Sequence, residues 1–600
     1  MKFRSALATL LTAIILLTAL SGCGSAGDKG TNPLDDGQFG DDASISENSS
    51  NTTGEDIEDN SGGGLNADNS GGGGKATGSK TTVVKVPDGK DSDLGNTKGF
   101  NKTGFPIVDE QVSLTVLTYR SDGNPLNWDN MEFTKQYQKM TNVKINWNLV
   151  TASALKDRIS LLLASGNYPD IFVSVEGVLN DADVYTYGNG KVFWDMSKSM
   201  KDYAPNLYKL AQSDSDIKAA IYQQDGSVYT LPMINQSTPG SYWNINKKWL
   251  NTLGLSVPKT TAELTRVLQA FKNSDPDGDG IANQIPFSAN CYLPDLFGPW
   301  GIYFEWANNV MIDKNGDAQY IFTMNEMQYG MAYWKRLKDQ GLAKLQDPQI
   351  SETEFEQLLS TGKVGCFLWS SPYTCMTEDL FNDYEIMPVP TAPATEIGNN
   401  LTAGVKRYSP KVYGNATVIF RSCRNKEVAL RWLDYFYSAE GNAFKNYTNV
   451  YMKKNASGKY YIDVPKGESH LSQSPGGAIP GNYGDEYVKY FAQSPKTLTS
   501  YEKKIQTYNE TARNIYAAQK PSKMLRDVTF TAKEVKSLSK LNANLNFDTG
   551  WWQCKQMMQG NAQYTGFLGT GWNSWVSRFK KSGVEEFVTI YQAAYDRAVK

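Results

Sequence analysis

Asp275, Asp277 and Asp279 alternate within Asp275-Pro276-Asp277-Gly278-Asp279-Gly280-Ile281-Ala282-Asn283-Gln284, a spacing that gathers several hard oxygens around one point. Gly278 and Gly280 permit the tight turn that such convergence needs. The layout follows a calcium loop, in which ligands come from positions 1, 3 and 5, a backbone carbonyl at 7, and position 9. Asp275, Asp277, Asp279, the Ile281 carbonyl and Asn283 fill those places, and Gln284 could add a further carbonyl. Position 12, where an EF-hand carries a bidentate Glu, is Pro286. The expected cofactor is a structural Ca2+, a staple rather than a reactant; the alternative is a plain Asp/Gly-rich turn closing the preceding helix. Asp313-Lys314-Asn315-Gly316-Asp317 looks similar, but Asn-Gly between strand-like runs reads first as a hairpin turn.

Catalytic constellations find little support. The chain has one histidine, His470, in a Gly/Ser/Pro-rich stretch, which argues against His-rich zinc sites and leaves any serine triad dependent on that single ring. No Gly-x-Ser-x-Gly elbow occurs, and Gly362-Lys363 is followed by Val364 rather than the Ser or Thr of a phosphate-binding loop. A pair of glycosidase carboxylates could hide among 63 acidic residues, but no pattern singles one out. No catalytic residue is assigned, and the expectation is a protein that is not an enzyme.

Cys23 carries a different chemistry. Lys2 and Arg4 precede an apolar run from Ala6 to Ala19, closed by Leu20-Ser21-Gly22-Cys23. This is the layout of a secretory signal, too short for a ~20-residue spanning helix. The cysteine stands where cleavage is expected and resembles the lipobox of bacterial lipoproteins. Residues 1–22 are thus expected to be removed, with Cys23 lipidated (palmitate among the acyl groups) as the anchor to the outer face of the cell membrane. Residues 24–104 hold 14 acidic and 7 basic side chains among Gly, Ser, Asn and Thr, and cannot bury enough apolar surface to offset their ordering entropy. Residues 23–104 read as a disordered acidic linker with a typical span of ~50 Å. The rest of the chain is then near neutral, with no bias toward nucleic acid. Of the other cysteines, Cys366 and Cys375 could bridge, though free thiols are favoured, and none forms Cys-x-x-Cys.

The elements that must position these residues alternate. Val112–Thr118 reads as a strand, Trp128–Met140 as a helix, and Val143–Val150 as a strand of period two. Leu155, Ile159, Leu162 and Leu163 form one helical stripe ended by Gly166, before the apolar strand Ile171–Val173. Such β-α-β-α-β order implies a largely parallel sheet covered by helices. Thr260-x-x-Glu263 and Thr531-x-x-Glu534 are capping boxes, the second opening a mostly helical C-terminal segment.

Leu163–Phe172 (LASGNYPDIF) resembles the helix-turn-strand signature of extracellular solute-binding proteins that serve ATP-driven importers. Tyr229–Pro232, Trp243–Pro258, Asp275–Pro286, Gly362–Trp369, Arg431–Gly441 and Ala593–Arg597 agree with it in the same order. The likeness spans about residues 106–600 and is closest to the sugar-binding lipoproteins of Gram-positive bacteria. Where the family commonly has Asp-Glu, this chain has Asn283-Gln284, which removes two charges from the cation loop.

The resemblance implies an α/β, periplasmic-binding-protein-like fold over residues 105–600: two lobes joined by a hinge, with the ligand cleft between them. Lobe one is expected at about 106–231 and 408–450, lobe two at about 232–407 and 451–600. The implied ligand is a carbohydrate, more an oligosaccharide than a monosaccharide, and the implied partners are ABC permease subunits, with a monomeric chain meeting the membrane only through its lipid. A secreted carbohydrate-active enzyme, a sensor-kinase partner and a peptide binder are the alternatives. Cleft contacts in such folds fall where strands end. That places the candidate ligand residues at Asp122, Asn124 and Trp128 after the first strand, Glu176 after Val173, Tyr242 and Trp243 after the crossover, and Trp369 at the end of another apolar strand.

Overall fold

The computed structural model describes residue 94 and residues 96–599, apart from 122, 175–177, 291–292, 305–308, 346–349, 466–467, 493, 495–497, 526 and 546. The signal, Cys23, nearly all of the linker and Cys291 lie outside the described residues, as do Asp122 and Glu176.

The strands are β1 (Val112–Arg120), β2 (Val143–Thr151), β3 (Ile171–Val173), β4 (Leu231–Ile234), β5 (Trp243–Asn246), β6 (Ile285–Ala289), β7 (Val310–Ile312), β8 (Ala318–Tyr320), β9 (Lys344–Leu345), β10 (Val364–Leu368), β11 (Tyr384–Ile386) and β12 (Val412–Ile419), followed by a small β13–β14 hairpin (Met452–Lys454, Tyr460–Ile462). Two five-stranded sheets result, ordered β2-β1-β3-β12-β4 and β11-β5-β10-β6-β9. In the first, β1 runs parallel to β2 and β3, while β12 is antiparallel to β3 and β4. In the second, β10 runs parallel to β6 and antiparallel to β5. The β7–β8 hairpin turns through Asp313–Asp317, whose Asp313 carboxylate accepts from the amides of Asn315, Gly316 and Asp317.

Local sequence signals carry through. The helix Leu155–Ser165 stops at Gly166, which takes φ 74° and returns its amide to Leu162. Thr531 and Glu534 complete a reciprocal capping box. Thr260 caps the helix Thr261–Asn273, but the Glu263 carboxylate returns to the Lys259 amide instead of that of Thr260. The helix expected from Trp128 starts at Glu132. Asn127 accepts the amide of Asp129 at 2.7 Å, a local turn that competes with helix over the four preceding residues.

Each lobe has its own core. The first gathers Leu114, Val116, Trp128, Phe133, Trp432 and Phe436 against one face of its sheet. A smaller cluster of Leu117, Ile159, Phe172 and Val418 covers the other face. The second core includes Trp243, Phe271, Phe287, Trp334, Phe367 and Trp575. The stretch from Met452 to Phe491, expected in the second lobe, packs into the first core instead through Met452, Ile479, Tyr483 and Tyr487. The reason is the exposed edge of β4: Ile234 donates to Gly481 O at 3.0 Å and accepts from the Tyr483 amide at 2.7 Å, so this segment covers that edge.

Among the described residues the chain passes between the lobes over residues 235–241 and 409–411. The two crossings run antiparallel and bond to each other: Asn235 donates to Lys411 O at 2.7 Å, Ser409 to Thr238 O at 2.8 Å, and Gly240 to Arg407 O at 2.9 Å. Asp295 holds this pair to the second lobe, its carboxylate pairing with Lys406 and lying 3.5 Å from the Arg407 guanidinium. The Lys406 ammonium is fully buried and also donates to Ser241 O. Burial pulls its pKa down, and Asp295 opposes that shift. Gly240 keeps this approach close: a Cβ there would lie 2.9 Å from the Arg407 guanidinium and 3.1 Å from the Asp295 carboxylate, which would have to move.

Two stability predictions follow from this packing. Asp295→Ala leaves the Lys406 charge buried without its carboxylate and is expected to cost about 3–5 kcal/mol in denaturant unfolding. A loss below about 1 kcal/mol would mean that water reaches Lys406. Trp243→Ala empties a core site and is expected to cost about 3–5 kcal/mol, read from the same unfolding midpoints.

Candidate ligand cleft and cation loop

Antiparallel pairing of β5 with β10 sets Trp243 opposite Leu368, so the chain entering β5 and the chain leaving β10 meet at the crossing end of the second sheet. Trp369 donates its amide to Tyr242 O at 3.0 Å. The Asn244 amide nitrogen bridges Tyr242 O (3.0 Å) and Trp369 O (2.8 Å), and its oxygen accepts the Tyr508 hydroxyl at 2.5 Å. Tyr242 also lies 5.9 Å from the ring of Tyr508 and 5.7 Å from that of Tyr516, and Trp369 lies 5.6 Å from that of Phe355. Burial raises the pKa of Tyr242, so its hydroxyl stays protonated and able to donate. Tyr242 and Trp369 are buried, keeping 5% and 6% of their surface.

The other candidates sit elsewhere. Trp243 has no exposed surface and packs 5.8 Å from Phe287 and 6.3 Å from Trp334. Trp128 is equally enclosed, 4.9 Å from Trp147. Both rings are core residues: a place after β1 or at the start of β5 says where the backbone runs, not that the ring faces ligand, and both rings turn inward. Asn124 uses its whole amide on protein, accepting from the Ser121 amide and donating to Leu471 O (2.7 Å) and Ser474 O (3.0 Å). It fixes the loop after β1 to the 470s segment. His470 is buried there and bonds to Asn446 O at 2.9 Å; burial lowers its pKa to about 4, so the ring is neutral and enclosed.

The cation loop is compact. Asp275 takes φ 43°, Gly278 φ 71° and Gly280 φ 75°, and the carboxylates of Asp275, Asp277 and Asp279 lie within 4.8 Å of one another. Amides of Gly280 and Ile281 donate to Asp275 (2.9 Å) and Asp279 (2.8 Å). Asn283 donates to Asp279 at 3.1 Å, and Gln284 reaches Asp277 at 2.7 Å and Ile281 O at 3.1 Å. Lys363, far away in the chain and part of no motif there, places its ammonium 2.6 Å from Asp277 and 2.5 Å from Asp279. Its hydrogen bonds hold both carboxyls below their usual pKa, against a desolvation that for Asp277 is the largest single influence. The two carboxylates in turn raise the lysine's pKa. Parallel pairing of Val364 with Ile285 brings Lys363 beside Gln284, a neighbour only strand register reveals. The donor set is one of hard oxygens and fits a divalent cation once the Lys363 ammonium turns aside and the Gln284 amide presents its oxygen.

The described cysteines, Cys366, Cys375, Cys423 and Cys554, are free thiols. Among the described residues, no helix is long and apolar enough to cross a membrane.

Residues 124–443 match the sequence profile of the bacterial extracellular solute-binding proteins. The chain is 24% identical over 521 residues to the fructooligosaccharide ABC transporter substrate-binding protein FusA of Streptococcus pneumoniae, covering 82% of this chain and 91% of that protein. It is 30% identical over 238 residues to the polygalacturonan/rhamnogalacturonan-binding protein YtcQ of Bacillus subtilis, 39% of this chain and 45% of that protein. In fold it is similar to the solved structure of FusA in complex with kestose, with a TM-score of 0.66 and 20% identity over 81% of this chain and 99% of that one. A solute-binding protein from Bifidobacterium longum subsp. infantis gives a TM-score of 0.67 at 23% identity, over 82% of this chain and 99% of that one. Two α/β lobes joined by bonded crossing segments, matched by profile over more than half the sequence, place this chain in the bacterial extracellular solute-binding protein family.

Proposed function

We propose that this protein captures an oligosaccharide between its lobes and delivers it to the permease of an ATP-driven importer, tethered to the outer face of the membrane by lipid on Cys23. The observation that carries this reading is the bonded pair of crossings between two separately packed lobes, the arrangement that hinge closure around a ligand requires. Relatives named for fructooligosaccharide, maltooligosaccharide and rhamnogalacturonan binding support a carbohydrate ligand. The name of the maltooligosaccharide relative, a solute-binding lipoprotein, supports the anchor.

In this reading Tyr242 and Trp369 offer aromatic edges to a sugar ring, while Asp122 and Glu176 accept its hydroxyls. Asn124 acts indirectly, by holding the loop that carries Asp122. The protein needs no chemical step, and nucleotide hydrolysis and membrane passage belong to partner subunits. The loop of Asp275, Asp277, Asp279, the Ile281 carbonyl, Asn283 and Gln284 is proposed to hold a structural Ca2+. An EF-hand mutant described for FusA supports attention to this loop.

The test is a thermal-shift screen of the mature chain against an oligosaccharide panel, with product analysis alongside. A ligand at ~100 times its dissociation constant adds ~2.7 kcal/mol, a visible rise in melting temperature. A selective shift with no sugar turnover is expected; no shift with any sugar would overturn the ligand class, and turnover would make the protein an enzyme. In the same assay calcium should raise the melting temperature and chelator reverse it. Lys363→Met, which removes the competing ammonium, should tighten calcium binding, and Asp279→Asn should weaken it. A melting temperature indifferent to calcium in both variants would make the loop a plain turn.

A further inference from the structure

The β7–β8 hairpin, the chain approaching the second crossing and the turn after the helix Ser500–Ala517 enclose a cavity of about 230 Å³ in the second lobe. Its floor is apolar, made by Tyr303, Met311, Ile312, Leu401 and Val405, each keeping no more than 7% of its surface. The exposed part of its wall is polar: Lys314 from the hairpin turn, Thr402, and Lys520, Ser522 and Lys523 from the turn after the helix.

Backbone and side-chain bonds hold these walls in place. The Gln519 side chain pairs reciprocally with the backbone of Val389, both bonds at 2.9 Å, and Gln519 O accepts the Lys406 amide at 2.8 Å. The turn that carries the lysines is thereby stapled to the chain that enters the second crossing. Lys520 sets its ammonium 4.8 Å from the ring of Tyr408, the residue just before that crossing. Lys523 donates to Asn315 O at 2.7 Å, which ties the turn to the hairpin. The Tyr303 hydroxyl closes the base, lying between the carbonyls of Ile312 (2.5 Å) and Lys523.

Three lysines thus surround one concavity, and a cleft lined by one sign of charge concentrates counter-ions. Among the described lining residues the one carboxylate is Asp313. It is spent internally, accepting from the amides of Asn315, Gly316 and Asp317 and from the side chains of Asn400 (2.6 Å) and Gln319 (3.3 Å). Those donors use up its roughly four lone-pair sites. The volume, below the ~300–1,000 Å³ of drug-sized pockets, leaves room for about one ring. An inorganic anion would gain nothing from the apolar floor, and a neutral sugar nothing from the lysines. A sugar ring bearing a carboxylate uses both, with Thr402 and Ser522 at hand for its hydroxyls.

We propose that this cavity is a subsite for an acidic sugar residue of the uronate type, so that the captured solute is an anionic oligosaccharide. Lys314, Lys520 and Lys523 take the carboxylate, and the floor takes the apolar face of the ring. This rests on the oligosaccharide reading above and narrows its ligand class.

The test is calorimetric titration of the mature chain at low salt. Oligomers of galacturonate, glucuronate and mannuronate are compared with their methyl esters, which keep the rings and lose the charge, beside neutral oligosaccharides and inorganic phosphate. At least one uronate series is expected to bind about tenfold or more tighter than its ester, a preference that shrinks as salt is raised. The double variant Lys520→Met/Lys523→Met should bring that ratio to within about twofold. Equal affinity for acid and ester in the wild type, or a ratio that survives in the variant, would overturn the subsite. Phosphate binding without preference for any uronate would also overturn it, leaving an inorganic-anion site. Neutral sugars that bind while no uronate does would overturn the subsite and leave the oligosaccharide reading standing; binding of no sugar at all would sink that reading itself. If the double variant does not fold, Lys520→Met alone decides by the same ratio.

Discussion

The buried charge of Lys406 constrains more of this structure than any other single group. An ammonium out of water is tolerable only with a carboxylate and further acceptors in good geometry. Asp295 supplies the carboxylate and Ser241 O another acceptor. Those three residues come from the 290s of the second lobe, the first crossing and the approach to the second, so satisfying one charge fixes where the chain may pass between lobes. Gly240 lets the crossing pass close to both, since a Cβ there would crowd Arg407 and Asp295. The crossings are then free to act as a two-stranded hinge, their ladder intact while the lobes turn about it.

The aromatic content is explained mostly by the two cores. Trp128, Trp243, Trp249, Trp300, Trp334 and Trp575 have no more than 2% of their surface exposed. What distinguishes Tyr242 and Trp369 is position relative to the hinge, where β5 begins and β10 ends. Asn244 locks the two backbones together and orients Tyr508. A polar residue buried in an apolar neighbourhood here specifies geometry, since each of its hydrogen bonds would be lost if the strands slipped.

In the cation loop three carboxylates converge and an internal cation, Lys363, neutralises two of them. At the lobe contact Asp527 accepts the Gly414 amide and Asp181 the Asn415 side chain, and burial raises the pKa of both carboxyls. The cation loop keeps its charges around neutrality, its carboxyls held low and Lys363 held high.

Local periodicity and punctuation determined much on their own: β1, β2 and β3 with their intervening helices, the stop at Gly166, the capping box at Thr531 and the Asp313–Asp317 hairpin. The acidic spacing of residues 275–284 was also plain, because turn formation and oxygen convergence are properties of a short segment. Tertiary structure alone decided what depends on partners distant in the chain. Trp128, in the loop after β1, and Trp243, at the start of β5, turn inward, since sequence says where the backbone runs but not where the ring packs. Residues 452–491 join the first lobe because the edge of β4 needed covering. Lys363 reaches the acidic loop only through the register of β10 on β6, and the Gly414 amide meets Asp527 only where the lobes touch. These pairings are set by long-range packing, for which a linear pattern carries no signal.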